Sequence, residues 1–192
     1  MEYVERKTLF ARLLVAPPAM VFEELKAYSA DVRASPFGST NREMEAALAQ
    51  RNDPLIDLGL ATYGGDRDTV GAIYWKAKSP AENDNDKKYK KGVRLAVLGN
   101  ETVSHVGFLR GFPEDTIGKE ETVRVLLNAD DDEAGILLAN SGLDDHILLS
   151  LYRGKNWAAD MDEDRRVMLV SLSSTNERLN TNKDNEFGPD MC

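Results

Sequence analysis

The chain has 192 residues, 42% hydrophobic and 30% charged, which supplies enough apolar material for one sizeable core and is not the composition of a disordered segment. Its formal charge of −9 sits in the second half: residues 1–96 hold 15 Lys+Arg against 14 Asp+Glu, net +1, and residues 97–192 hold 9 against 19, net −10. That acidic half argues against a general nucleic-acid binder, whose phosphate contacts need clustered basic side chains; the single cysteine, Cys192, excludes an intrachain disulfide and a cysteine-built metal site.

In MEYVERKTLFARLLVAPPAM, Glu2, Glu5, Arg6 and Lys7 interrupt the apolar residues, and the run from Leu13 to Ala16 is too short for a secretory signal. No stretch reaches the roughly 20 apolar residues of a membrane span, so the expectation is a cytoplasmic protein with no membrane partner. Apolar residues recur at three- and four-residue steps, which predicts helices at 3–14, 18–33, 41–50, 53–63, 67–78, 87–98, 102–110, 119–128, 132–141, 144–153 and 163–174 and leaves almost nothing for a sheet. The fold class expected is all-α.

The first two helices, with Leu9, Phe10, Leu13, Leu14, Val21, Phe22 and Leu25, suit an N-terminal cap over residues 1–34. Pro17 and Pro18 fit a helix opening. SPFGSTN, from Ser35, ends in an N-cap residue, and KSPAENDNDKK, from Lys78, has the composition of a flexible linker. An array over 35–178 follows, then a tail over 179–192 without periodicity.

Within that array a pattern recurs. LATYGGDRDTV from Leu60 is answered by LAVLGNETVSH from Leu95, LANSGLDDHIL from Leu138 and, loosely, LSSTNERL from Leu172. The Leu-Ala pair suits the last turn of a helix, the small alanine letting a neighbour approach. Gly64, Gly99 and Gly142 are placed for a left-handed helix stop. Asp66, Thr102 and Asp144 are placed to cap the next helix. Each copy thus predicts a helix-turn-helix hairpin. DPLIDLGLATYGGDRDTVGAIYWK, from Asp53, aligns without a gap on DDEAGILLANSGLDDHILLSLYRG, from Asp131. The offset of 78 residues is divided by the middle copy into 35 and 43, spacings that belong to stacked helical repeats.

VRLAVLGNETVSHVGFLRG from Val93 and EDRRVMLVSLSSTNERL from Glu163 carry Arg-apolar-apolar-Ala, then Asn and a polar cap. On these residues the chain resembles the HEAT-like and leucine-rich-repeat-variant α-helical repeat families over about residues 40–178. The resemblance implies a short α-solenoid of stacked hairpins, a HEAT/armadillo-like superhelix. The variant family can carry a cysteine-bound iron-sulfur cluster, for which this chain has no cysteines.

Motifs for chemistry are weak. DMDEDRRVMLVS from Asp160 has Asp at calcium-loop positions one, three and five, but Arg165 replaces the glycine and Ser171 the closing Glu. GFPEDTIGKE from Gly111 has the wrong glycine spacing for a phosphate loop. His105 and His146 are the only histidines. The run Asp130–Glu133 suits helix capping. YWKAKSPAENDNDKKYKKG, from Tyr74, is the one basic, aromatic-bearing region, diluted by Glu82, Asp84 and Asp86.

The function implied is a non-enzymatic protein–protein interaction module, an adaptor or regulatory subunit or part of a longer chain, without cofactor or metal. Its expected partner is another protein with a basic surface, and a homo-oligomer stays open. The residues placed to meet that partner are Trp75, Lys76, Tyr89, Lys90, Asp144, Asp145, Tyr152 and Trp157. Two alternatives stand beside it. In one, an acidic nucleic-acid mimic inhibits a nucleic-acid-binding protein through Asp130–Glu133, Asp144, Asp145 and Asp160–Asp164. In the other, a HEAT-like DNA-repair glycosylase uses Trp75, Trp157, Asp66 and Asp144.

Overall fold

The computed structural model describes residues 10–34, 40–106, 109–110, 113–128 and 131–140. The helices expected at 144–153 and 163–174, the fourth repeat copy and the tail lie outside the described residues. What is described is all-α apart from one two-residue strand pair. A helical stretch at 10–15 precedes α1 (Pro18–Ala34), α2 (Arg42–Ala49), α3 (Pro54–Tyr63), α4 (Arg67–Ala77) and α5 (Asp84–Leu98). Then come α6 (Glu101–Ser104), β1 (His105–Val106), β2 (Leu109–Arg110), α7 (Pro113–Ile117), α8 (Lys119–Asn128) and α9 (Asp131–Ala139).

Local chemistry sets the helix starts. Pro18 and Pro54 open α1 and α3, where a missing N–H is harmless and the fixed φ is already helical. Asn41, Asp53, Asp66 and Asn83 cap α2 to α5, their side-chain oxygens accepting from the N–H groups of Met44, of Leu55 and Ile56, of Thr69 and of Asp86. The cap at Asn83, with Asp84 and Asp86 in the first turn, starts α5 three residues earlier than expected, so the end of the presumed linker, from Asp84, is helix.

Other expectations are corrected. The helix predicted over 102–110 stops at Ser104, and His105 and Val106 pair antiparallel with Arg110 and Leu109. Thr102, Val103 and Val106 are β-branched, which favours extended backbone over helix. Gly64 and Gly99 are not left-handed: their φ/ψ values are −62°/147° and −92°/2°. Positive φ falls instead on Asn52 and Gly118, at 52° and 93°. Gly142 and Asp144 lie outside the described residues. The alanine does not repeat its role either: Ala61 is buried, Ala96 half-buried and Ala139 exposed.

α1 lies on α3, α3 on α5 and α5 on α9, while α2 packs on both α3 and α4, and α4 packs also on α5 and α7. One apolar cluster runs through these helices, including Leu25, Ile56, Leu60, Tyr74, Leu98 and Leu137. Each such aliphatic side chain contributes about 1.5–3 kcal/mol by leaving water. Two glycines permit the closest crossings: a Cβ at Gly59 would meet Leu25 and Phe22 at 3.1 Å, and one at Gly71 would meet the Thr116 carbonyl at 2.4 Å.

The α3–α4 turn is held from two sides. The fully buried Glu45 carboxylate of α2 accepts from the N–H groups of Gly65 (3.0 Å) and Asp66 (2.9 Å). Asn100, which follows α5, donates to the carbonyls of Ala61 and Gly64, both at 2.9 Å. The same Asn100 accepts from the N–H groups of Thr102 and Val103, so it, and not Thr102, starts α6. Thr102 instead bonds Ser29 of α1 through its hydroxyl at 2.6 Å. The glycines are there for clearance: a Cβ on Gly64 would lie 2.9 Å from the Glu45 carboxylate, and one on Gly65 2.4 Å from Thr40. One helix further on, Asn140 repeats the link, donating to the Leu98 carbonyl of α5 at 2.7 Å.

Replacing Asn100 by alanine strands two buried carbonyls and uncaps α6. The expected loss is about 2–4 kcal/mol in the urea unfolding free energy, against less than about 0.5 kcal/mol for the exposed Asn85→Ala control.

Candidate functional site

Four successive residues, Tyr74-Trp75-Lys76-Ala77, close α4. A helix turns about 100° per residue, so they fan out around it. Tyr74 enters the core and donates its hydroxyl to Glu121 of α8 at 2.6 Å. Trp75, half-exposed, borders an open recess of about 460 Å³ with Ile117, Gly118, Glu120, Glu121 and Arg124. Lys76 and Ala77 turn to the other side, into a cleft of about 190 Å³ walled by α3 and α5. Two recesses therefore flank the last turn of one helix.

The cleft is charged but internally paired. Asp57, whose side chain is 5% exposed, accepts on Oδ2 from Lys76 Nζ at 2.8 Å, and Lys76 also reaches Asn52 Oδ1 at 3.1 Å. Asp57 Oδ1 has no hydrogen-bond partner among the described residues. Lys90 Nζ sits 2.9 Å from Asp86 Oδ2 and 2.8 Å from the Pro80 carbonyl; its hydrogen bond, with that of the Glu82 N–H, holds the Asp86 carboxyl below its usual range. Tyr89 donates to the Pro54 carbonyl at 3.2 Å. Burial, then the negative charges of Asp57, Asp53 and Asp86, push its hydroxyl up to about 12. Ile73, Ala77 and Val93 supply the apolar wall.

On the Trp75 side the centre is Glu121. Burial pushes its carboxyl up, but hydrogen bonds from Arg124, Lys78 and Tyr74 outweigh that and hold it at about 2. The same arrangement, burial first and the Glu121 bond second, drives the Tyr74 hydroxyl far above its usual value. Lys78 Nζ lies 5.4 Å from the Trp75 ring centroid, within cation–π reach.

The four expected partner-binding residues that are described divide between the recesses: Lys76, Tyr89 and Lys90 converge on the cleft, and Trp75 stands on the other side. Asp144, Asp145, Tyr152 and Trp157 lie outside the described residues. The basic stretch is not an open patch, because Lys76, Lys78, Lys90 and Lys91 are spent on Asp57, Glu121, Asp86 and Asp132; Lys87 and Lys88 are exposed on α5. In the acidic run, Asp132 and Glu133 face Lys91 and Arg94 of α5 at 2.7 and 2.6 Å, so they join helices as well as favouring the α9 N-terminus. Asp66, cast above as a glycosylase acid, is a buried N-cap bonded to Thr69.

Sequence reasoning missed Asp57, Asn52, Glu121 and Glu45. Asp57 had a signal, being the only charged residue of the otherwise apolar helix PLIDLGLATY. Comparison with models of protein families, with curated proteins and with solved structures gives no match. Among the described residues no group of three or more His, Cys, Asp or Glu is arranged to hold a metal ion, and no helix is long and apolar enough to cross a membrane.

Glu45 sets the pH response. Burial raises its carboxyl from 4.5 to about 7; the Asp66 and Gly65 N–H groups and the Tyr28 hydroxyl pull the other way, and the Asp66 charge adds to the rise. Between those values the folded chain holds a proton that the unfolded chain releases, so stability falls as pH rises from about 4.5 to 7, by roughly 3 kcal/mol. Glu121 acts oppositely: its contribution is present above about 4.5 and is lost as pH falls towards 2. Urea midpoints of Glu45→Gln are expected to stay level from pH 5 to 7.5, while the acid-side loss below 4.5 persists.

Proposed function

We propose that the chain is a non-enzymatic protein–protein interaction module, a short HEAT-like stack of helical hairpins that holds a partner at the recesses flanking the end of α4. The observation that carries this reading is the sequence of helix contacts, in which α1 packs on α3, α3 on α5 and α5 on α9, and α4 touches α2, α3, α5 and α7. A stack of repeats has that connectivity, each unit hiding its apolar face on the next. The asparagine links from Asn100 to α3 and from Asn140 to α5 fit a recurring unit.

The chemistry of the recesses favours recognition. Several of their ionisable groups are committed to one another, Lys76 to Asp57, Lys90 to Asp86 and Arg124 to Glu121. That arrangement offers shape and a fixed charge pattern rather than a free acid or base. Trp75, with half its surface in water beside a recess, is the residue type that most often anchors a partner. A formal charge of −9 steers a basic one. The mimic and glycosylase readings lack such support, since Asp132 and Glu133 are paired and Asp66 is a cap.

Immobilised chain carrying Trp75→Ala or Lys90→Glu, each with its urea midpoint verified, is compared with wild type in isotope-quantified capture from native extract. A discrete protein set retained by wild type is expected to drop about tenfold or more with Trp75→Ala. Equal retention by both variants contradicts the placement of the binding surface.

A further inference from the structure

The segment that joins α4 to α5 presents a hydroxyl to solvent. Ser29, Thr69, Thr102 and Thr122 are buried, whereas Ser79 stands in water, as do Pro80, Ala81 and Glu82 after it. These four residues belong to no helix or strand. Pro80 also biases Ser79 away from helical backbone and towards the extended form. An enzyme that works on a protein side chain needs this combination of an exposed reacting group and flanks outside regular structure.

The hydroxyl has a structural part to play. Ser79 Oγ donates to the Lys76 carbonyl at 2.8 Å and so finishes the last turn of α4, the turn that sends Trp75 to one recess and Lys76 to the other. One residue on, the Pro80 carbonyl accepts from Lys90 Nζ at 2.8 Å, and the same ammonium lies 2.9 Å from Asp86 Oδ2. A phosphate on Ser79 changes both arrangements. An esterified Oγ has no proton to donate to Lys76, and a group of charge about −1.5 to −2 then faces the negative end of the α4 dipole. The phosphate also competes with the singly charged Asp86 for Lys90, a residue that lines the cleft. One recess feels the modification through Trp75 and the other through Lys90.

We propose that Ser79 is a phosphorylation site for a kinase that reads Ser-Pro, and that the phosphate releases the partner by unfastening the last turn of α4 and drawing Lys90 off Asp86. In the transfer, Ser79 Oγ attacks the γ-phosphorus of a nucleoside triphosphate bound to the kinase. The new P–O bond forms as the bond to the bridging oxygen breaks, the nucleoside diphosphate leaves and the hydroxyl proton passes to the kinase. The release rests on the partner-binding reading above, while the modification of Ser79 does not depend on it.

The chain has a second Ser-Pro pair, Ser35-Pro36, outside the described residues, so the test separates the two. Full-length wild type, Ser35→Ala and Ser79→Ala are incubated with a purified proline-directed serine kinase and Mg-ATP, and the phosphates are located by mass spectrometry. Phosphate on Ser79 is expected in wild type and in Ser35→Ala, falling about tenfold or more with Pro80→Ala. No phosphate on Ser79 overturns the proposal. Ser35→Ala chain phosphorylated at Ser79 is then compared with its unmodified form by NMR and in capture from native extract. Shifts are expected at the Trp75 indole, along the backbone from Tyr74 to Lys78 and at Lys90, with about tenfold loss of the retained proteins that phosphatase reverses. Shifts confined to Ser79 and Pro80 contradict the effect on the recesses. Full retention by the phosphorylated chain, with Trp75→Ala still losing its partners, sinks the release and leaves the interaction-module reading standing. Phosphate on Ser79 together with capture that ignores Trp75→Ala supports the modification and overturns the release.

Discussion

The turn at Gly64, Gly65 and Asp66 is where the described structure is tied together. Its N–H groups are held by a carboxylate from α2 and its carbonyls by an amide that follows α5. Residues 61–66 thus receive hydrogen bonds from the elements before and after their own hairpin. Because a bent turn cannot satisfy its backbone groups internally, these bonds replace the ones helix geometry would have supplied. They also fix how closely α2 approaches this turn, since the Glu45 carboxylate lies where a Cβ on Gly64 would come within 2.9 Å. Ser29, bonded to Thr102, brings α1 into the same junction.

The starts of α2, α3 and α4 were legible because they depend on neighbours in sequence. Asn41, Asp53 and Asp66 cap amides two or three residues away, and that spacing can be read from a string of letters. Helix ends were misread for the opposite reason. A glycine after a helix suggests a left-handed stop when nothing else can take the free carbonyls. Here Asn100, 36 residues beyond Gly64, takes them, and the glycine is needed for clearance instead. The pairing of His105 and Val106 with Leu109 and Arg110 was hidden by Leu and Val spacing that matches a helix as well as a strand. Of the candidate site, Lys76, Tyr89 and Lys90 were legible as a cluster within 15 residues. Asp57 was not, since its partner lies 19 residues away on another helix.

The uneven charge of the two halves acquires a structural meaning. Lys78, Lys91 and Arg94, from the more basic half, reach Glu121, Asp132 and Glu133 in the acidic half. The exposed Lys91–Asp132 pair contributes little, about 0–1 kcal/mol. Glu121 and Glu133, with side chains only 6% and 8% exposed, matter more, because losing their partners would leave a buried charge uncompensated. Such pairs fix which helix lies beside which, and the Lys78–Glu121 pair holds the Trp75 recess against the end of α4.

Native-state hydrogen exchange measured residue by residue tests the junction most directly. If the clamped turn is the keystone, the amides of Gly65, Asp66, Thr102 and Val103 exchange only through global unfolding, with protection equal to that of Leu60 in the α3 core. Exchange of these four at the rate of exposed loop amides, while Leu60 stays protected, would contradict the account.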